Sequence, residues 1–190
     1  ERLCELVIER ARDKVSPRIL DLCCGSGCIG SAAAHEVEDA RVTAVDNSDG
    51  ALRITRENAR RLGVQGRILV RKADVLNAPP DGMGEYDILV SNPPYITRAE
   101  MRELDKSVSH YEPHEALYGG VDGLDFYRAI CAKWAGLLVP GGIALFECGW
   151  QQSMDVAAVL EENGFTDIGI TEDLAGVPRV VYGFSPRSRT

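Results

Sequence analysis

At 190 residues, with 45% of them hydrophobic and 26% charged, the chain has the composition of an ordinary globular domain with a sizeable core. Its net charge of −8 weighs against a protein that grips nucleic-acid phosphates through a basic face. No apolar run approaches the roughly 18 residues that a membrane span needs.

The opening stretch, ERLCELVIERARDK, carries the apolar spacing of an amphipathic helix and not the continuous apolar core of a signal peptide, so the cytoplasm is the expected compartment. RILDLCC (18–24) predicts a buried strand, followed by a glycine-rich turn and a helix through GSAAAHEV. VTAVD (42–46) is a second strand. Ser48 or Asp49 caps the next helix, which runs through ALRITRENARRL and stops at Gly63. RILVRKAD (67–74) and YDILVSN (86–92) are strands three and four. The basic run RRLGVQGRILVRK (60–72) is read as solvated surface charge.

After a long irregular stretch, a helix is expected from about Asp125 to Val139, then a turn and fifth strand in PGGIALFEC (140–148). A helix through SMDVAAVLEEN ends at Gly164, and DIGITED and VVYGF close as two short strands. Only the short loop LAGVPR separates these two, so they are expected to pair as an antiparallel hairpin. The alternation implies one α/β domain: a mostly parallel seven-stranded sheet, helices on both faces, ligand at the carboxyl ends of the strands.

Of the six cysteines, Cys23, Cys24 and Cys28 crowd the first turn while Cys4, Cys131 and Cys148 are scattered. None forms a C-x-x-C pair, so no metal site is expected and reduced structural thiols are. Within DLCCGSGCIG, Gly25, Gly27 and Gly30 spell G-x-G-x-x-G. Such a turn brings backbone close to a ligand, and the following helix offers N–H groups to a pyrophosphate or a carboxylate. Asp46, ending strand two, is placed to accept from ribose hydroxyls. Asp21 would repel a pyrophosphate and tolerate a cationic ligand. Asp74 and Val75, after strand three, could meet an adenine ring.

SNPPY (91–95) is more specific. Pro93 and Pro94 stiffen the backbone and remove two donors. The Asn92 amide and Pro93 carbonyl then make a pair of acceptors, and Tyr95 a flat wall. Together they suit a planar NH₂ group.

With these residues in hand, the chain resembles the bacterial release-factor glutamine methyltransferases, within the class I S-adenosylmethionine-dependent enzymes of Rossmann-like fold. DLCCGSGCIG, AVDNSDGAL, NPPYI, YEPHEALYGGVDGLDFYR, PGG, GWQQ and DLAGVPRVV follow that family's order from about residue 18 to 184. The resemblance implies S-adenosylmethionine as cofactor, S-adenosylhomocysteine as product and peptide-chain release factors as substrate; a monomer is expected. The methionine end of the cofactor would lie against Cys23, Cys24, Gly25, Ser26 and Gly27, close to Asp21. Asp46 would hold the ribose, and Asp74 with Val75 would border the adenine. Asn92 and Pro93 would accept from the glutamine side-chain amide, with Pro94 and Tyr95 shaping the wall and Asn92 also bordering the cofactor. Two departures stand out. Glycine is common in the family where Cys23 stands, and full-length members carry an N-terminal helical domain thought to help recognise the substrate. The 190 residues are thus expected to be a catalytic domain alone, as a fragment or a reduced member.

The implied reaction rests on positioning, because a carboxamide nitrogen is a poor nucleophile and no strong base stands near NPPY. His35, His110 and His114 are expected on the surface or in loops. Glu112 and Pro113 are candidates for shaping the substrate channel. Competing readings are glutamine methylation of a ribosomal protein, methylation of an adenine amine in nucleic acid, an NAD-linked oxidoreductase and a non-catalytic cofactor-binding module.

Overall fold

The alternating apolar runs and amphipathic stretches fold, in a computed structural model that describes residues 1–103 and 114–187, into a seven-stranded sheet clothed in helices. In chain order the elements are α1 (Arg2–Arg12), β1 (Arg18–Leu22), α2 (Cys28–Glu36), β2 (Arg41–Asp46), α3 (Asp49–Arg61), β3 (Ile68–Lys72), β4 (Tyr86–Ser91) and α4 (Arg98–Glu103). They continue with α5 (His114–Leu117), α6 (Asp125–Ala129), β5 (Leu138–Glu147), α7 (Ser153–Glu162), β6 (Thr166–Glu172) and β7 (Pro178–Phe184). The sheet order is β3-β2-β1-β4-β5-β7-β6. Strands β1 to β5 pair in parallel, and β7 runs antiparallel to both β5 and β6. The α/β class, the parallel body and the closing antiparallel pair are therefore as the sequence predicts. β7 also inserts between β5 and β6, which the order of elements along the chain does not reveal.

Side chains of a strand alternate between faces, and the central strands are apolar on both because helices cover both. Ile19, Ile88, Val90, Ile143 and Leu145 pack with α1 and α2, while Leu20, Leu89, Ala144 and Phe146 pack with Tyr127, Ile130, Trp134, Val156 and Leu160 on the opposite face. Helix α1 sends Leu3, Leu6, Val7 and Ala11 into the first of these layers. Each larger side chain so buried stabilises the fold by about 1.5–3 kcal/mol. Ser48 caps α3 by accepting from the Ala51 N–H at 3.3 Å, and Gly63 stops it at φ +71°. None of the described helices is long and apolar enough to cross a membrane.

The helix expected to reach Val139 is shorter than that. α6 gives way to a wide π turn over Ile130–Trp134 and a 3-10 turn over Ala135–Leu137. The widened turn carries Trp134, fully buried, whose indole N–H donates to the carbonyls of Val75 (3.0 Å) and Asn77 (2.9 Å). Leu138 and Val139 then join β5, pairing Leu138 with Tyr86. Pro140, Gly141 and Gly142 form a bulge inside β5 and not a turn before it: the register passes from Tyr86↔Leu138 to Ile88↔Ile143, with Gly141 at φ +74°.

Candidate active site

Crossovers from β1 run outward through β2 to β3, whereas β4 and β5 lie on the other side of β1. The order therefore reverses between β1 and β4, where a crevice opens beyond the carboxyl ends of the strands. Leu22 pairs with Val45 on one flank and Ser91 on the other. Cys23, Asp46 and Asn92 thus leave three adjacent strands at one level. Asp46 in turn pairs with Lys72, which sets Asp74 one strand farther out.

The glycine loop is clamped from three directions. Asp46 Oδ2 accepts from the Gly25 N–H at 2.9 Å, and its Oδ1 from the Ser48 N–H at 2.9 Å. Thr55 Oγ1 donates to the Gly25 carbonyl at 3.0 Å, and Asn58 Nδ2 to the Ser26 carbonyl at 3.0 Å. Gly27 has φ +70°, and a Cβ there would lie 2.5 Å from Thr55 Cγ2, so only glycine lets the loop close onto α3. Above Gly25 the space is open, with no atom within 4 Å of where a Cβ would stand. A ligand can therefore lie directly on that backbone. A carboxylate has about four lone-pair directions, so Asp46 keeps capacity for a diol after its two backbone bonds.

Cys23 holds φ +54°, the left-handed region that costs a non-glycine residue roughly 1–2 kcal/mol. That explains why glycine suits this position, and it makes Cys23 a strained residue. We expect Cys23→Gly to be about 1 kcal/mol more stable than Cys23→Ala in urea unfolding, since only glycine relieves the strain. Alanine equal to or above glycine would contradict the strain.

Asp21 lies at an inward position of β1, 1% exposed on the α1–α2 face, with Oδ2 accepting from the Gly30 N–H at 3.0 Å. Burial pushes its carboxyl up to about 7; the Gly30 bond opposes this, and the nearby Asp46 charge adds to it. Its bond is to the first turn of α2, so any influence on a ligand passes through its charge. Burial likewise raises Cys24, whose thiol lies 3.6 Å from Thr55 Oγ1. All six thiols are free; Cys131 and Cys148 are buried and Cys28 is exposed. Among the described residues no group of three or more His, Cys, Asp or Glu could hold a metal ion.

Asp74 organises its own turn, accepting from the Leu76 N–H (3.0 Å) and Asn77 Nδ2 (2.8 Å). The Val75 side chain belongs to the core and its carbonyl to Trp134. This rigid loop borders the crevice on the β3 side.

At the end of β4, Ser91 Oγ donates to the Leu22 carbonyl at 2.8 Å and ties the two flanks of the crevice together. Asn92 is exposed and Pro93 buried, and among the described residues nothing is bonded to the Asn92 amide or to the Pro93 carbonyl. A dense scaffold backs them. Gln152 Nε2 donates to the Tyr95 carbonyl at 3.0 Å while its Oε1 accepts from the Gly149 N–H at 3.1 Å. The Ile96 N–H donates to Leu117, and the Gly119 N–H returns to Ile96, each at 2.9 Å. A Cβ at Gly123 would sit 2.3 Å from the Tyr95 carbonyl. Arg128 and Asp122, bonded at 3.1 and 2.7 Å, lock the segment that carries Gly123.

The structure so brings the glycine loop, Asp46 and NPPY to one crevice, with Asp74 and Val75 at its border. Asp21 lies beneath it. His35 is exposed on α2, away from the crevice. His110, Glu112 and Pro113, and the side chain of His114, fall outside the described residues. Sequence reasoning missed Thr55, Asn58, Ser91 and the bond from Gln152. Ser91 stands in the quoted SNPPY and Gln152 in GWQQ, each without a role assigned to it.

The sequence matches the family described as Methyltransferase small domain over residues 4–109. The release factor glutamine methyltransferase of Clostridium acetobutylicum is 38% identical over 181 residues, covering 95% of this chain and 64% of that protein. That of Streptomyces coelicolor is 41% identical over 172 residues, covering 90% and 59%. The chain thus spans less than two thirds of the length of these relatives. Among solved structures, a SAM-dependent O-methyltransferase from Thermotoga maritima aligns with a TM-score of 0.71 at 14% identity, covering 100% of this chain and 66% of that one. Ribosomal protein L11 methylase from Lactobacillus delbrueckii subsp. bulgaricus aligns at 0.67 and 23%, covering 97% and 77%. At such identities the likeness speaks for the fold, which is that of the class I methyltransferases. Since the sequence match runs over more than half of the chain and contains both the glycine loop and NPPY, the chain belongs to the methyltransferase small domain family.

Proposed function

We infer that this domain methylates the side-chain amide nitrogen of a glutamine in a peptide-chain release factor, using S-adenosylmethionine. The observation that carries this reading is the pair of acceptors at Asn92 and Pro93, backed by the Gln152 scaffold and leaving β4 level with the glycine loop that leaves β1, at the switch point of the sheet. The names of the relatives, 38–41% identical, support the same substrate class. In this reading Gly25 and Gly27 seat the methionine end, Cys23, Cys24 and Ser26 complete the loop, and Asp46 takes the ribose diol. Asp74 and Val75 border the adenine.

The bound cofactor supplies a methyl group on a cationic sulfur, already activated for transfer. The chain supplies geometry and charge. Asn92 Oδ1 and the Pro93 carbonyl accept the two amide N–H bonds and hold the nitrogen in line with the methyl. As positive charge grows on that nitrogen, the same two oxygens stabilise it, and one of its two protons leaves to solvent, so that the products would be a neutral N-methyl amide and neutral S-adenosylhomocysteine. Pro94 keeps the turn rigid and Tyr95 walls the amide plane. The reading places the enzyme in the cytoplasm, where release factors act, and its net charge of −8 disfavours nucleic acid as substrate.

Radiolabelled S-adenosylmethionine, incubated with this chain and separately with release factors, ribosomal proteins and DNA, tests it. Label is expected in a release-factor glutamine. Label in DNA and in no protein would overturn the reading.

A further inference from the structure

Beside Tyr95 a cavity of about 410 Å³ opens between the first turn of α1, the end of β5 and the β6–β7 turn. That volume lies within the range of ligand sites. Its wall reaches the acceptor motif through Tyr95 and includes neither Asn92 nor Pro93. Glu147 is its most informative wall residue. Phe146 pairs with Ser91, so Glu147 stands level with Asn92 on the next strand. Its backbone is fixed, with its carbonyl accepting from Tyr127 Oη at 2.8 Å. The two guanidiniums of the cavity are taken up by other carboxylates of its own wall. Arg2 is paired with Glu5 at 3.0 Å, and Arg179 with Asp173 at 3.5 Å and the Cys148 carbonyl at 3.4 Å. Among the described residues the Glu147 carboxylate has no such partner.

The far wall is pre-shaped too. Asp173 Oδ1 accepts from the N–H groups of Ala175 (2.8 Å) and Val177 (3.0 Å), which stiffens the β6–β7 turn. This turn holds Leu174 88% exposed at the edge of the cavity. An acceptor-only carboxylate on one side and a projecting aliphatic group on the other match a polypeptide: main-chain N–H groups inside, an apolar side chain at the rim.

We propose that this cavity receives the main chain of the protein substrate on one side of the acceptor glutamine, with Glu147 accepting its N–H groups. The inference rests on the glutamine reading above and assigns Glu147 and Leu174 to substrate recognition. It leaves the methyl transfer itself to Asn92 and Pro93.

Steady-state kinetics with two acceptors test it: N-acetylglutamine amide, and release-factor peptides extending two or three residues to either side of the glutamine. For the wild-type chain, extension on one side is expected to lower KM by about tenfold or more at similar kcat. Glu147→Gln and Leu174→Asp should each cancel most of that gain, leaving kcat and KM for the minimal acceptor and the cofactor affinity unchanged. Equal KM for minimal and extended acceptors, or a gain that survives Glu147→Gln, would overturn the proposal. Fluorescence anisotropy of a labelled peptide separates the two readings. Glu147-dependent binding of a peptide whose glutamine is never methylated would support the cavity and sink the glutamine reading.

Discussion

Asn92→Ala is expected to lower kcat/KM for the glutamine substrate by about 10²–10³, the cost typical of deleting one group that stabilises transition-state charge. In the proposed reading the change removes one of the two acceptors for the substrate amide and nothing else. Asn92 is exposed and has no hydrogen bond among the described residues, so its loss should leave thermal unfolding within about 0.5 kcal/mol of the wild type. Asn92→Asp keeps an oxygen in place and should retain more activity than alanine. Cofactor affinity, measured by calorimetry, should fall only a few-fold, because the loop clamp at Asp46, Thr55 and Asn58 is untouched. Undiminished transfer by Asn92→Ala would sink the assignment of NPPY as the acceptor-binding motif. A large loss of cofactor affinity with unchanged kcat would move Asn92 from the substrate side of the crevice to the cofactor side.

How far the site could be read in advance follows from what each residue responds to. The strands and the glycine turn announce themselves locally, through apolar runs bounded by glycine and proline, and they lie where expected except at β5, which starts before the Pro140, Gly141 and Gly142 expected to precede it. NPPY is equally local, because two prolines constrain the backbone whatever surrounds them. The clamp is different: Thr55 and Asn58 are ordinary polar residues on an amphipathic helix, and they bond the loop only after β2 and α3 fold back over some thirty residues of chain. Gln152 reaches Tyr95 across 57 residues for the same reason. The π turn of Ile130–Trp134 follows from a partner as well, since Trp134 must reach two carbonyls of the β3–β4 connection. Local chemistry is visible in a sequence, while bonds between distant segments are not.

Asp21 illustrates the point most sharply, and it leads to a second large effect. Its position before the glycines suggests a group facing a cationic ligand, yet its carboxylate is turned into the α1–α2 layer and bonded to Gly30. Burial raises it from an ordinary 3.8 to about 7. Between these values the folded chain keeps a proton that the unfolded chain has released, so stability falls as pH rises through that window. The group contributes a decline of at most about 4 kcal/mol from pH 4 to 7, and none above. Urea unfolding at pH 5, 6, 7 and 8 should therefore show a steeper decline for the wild type than for Asp21→Asn, which cannot ionise but still accepts from Gly30. The cofactor acts in the opposite sense. If the cofactor lies as proposed, its sulfonium above the loop favours the ionised carboxylate, so affinity for S-adenosylmethionine should rise from pH 5.5 to 7.5 more steeply than affinity for S-adenosylhomocysteine, whose sulfur is neutral. Asp21→Asn should make the two profiles parallel. Parallel profiles already in the wild type would mean that Asp21 serves the α2 turn alone and leaves the cation to be matched by Asp46 and the backbone carbonyls of the loop.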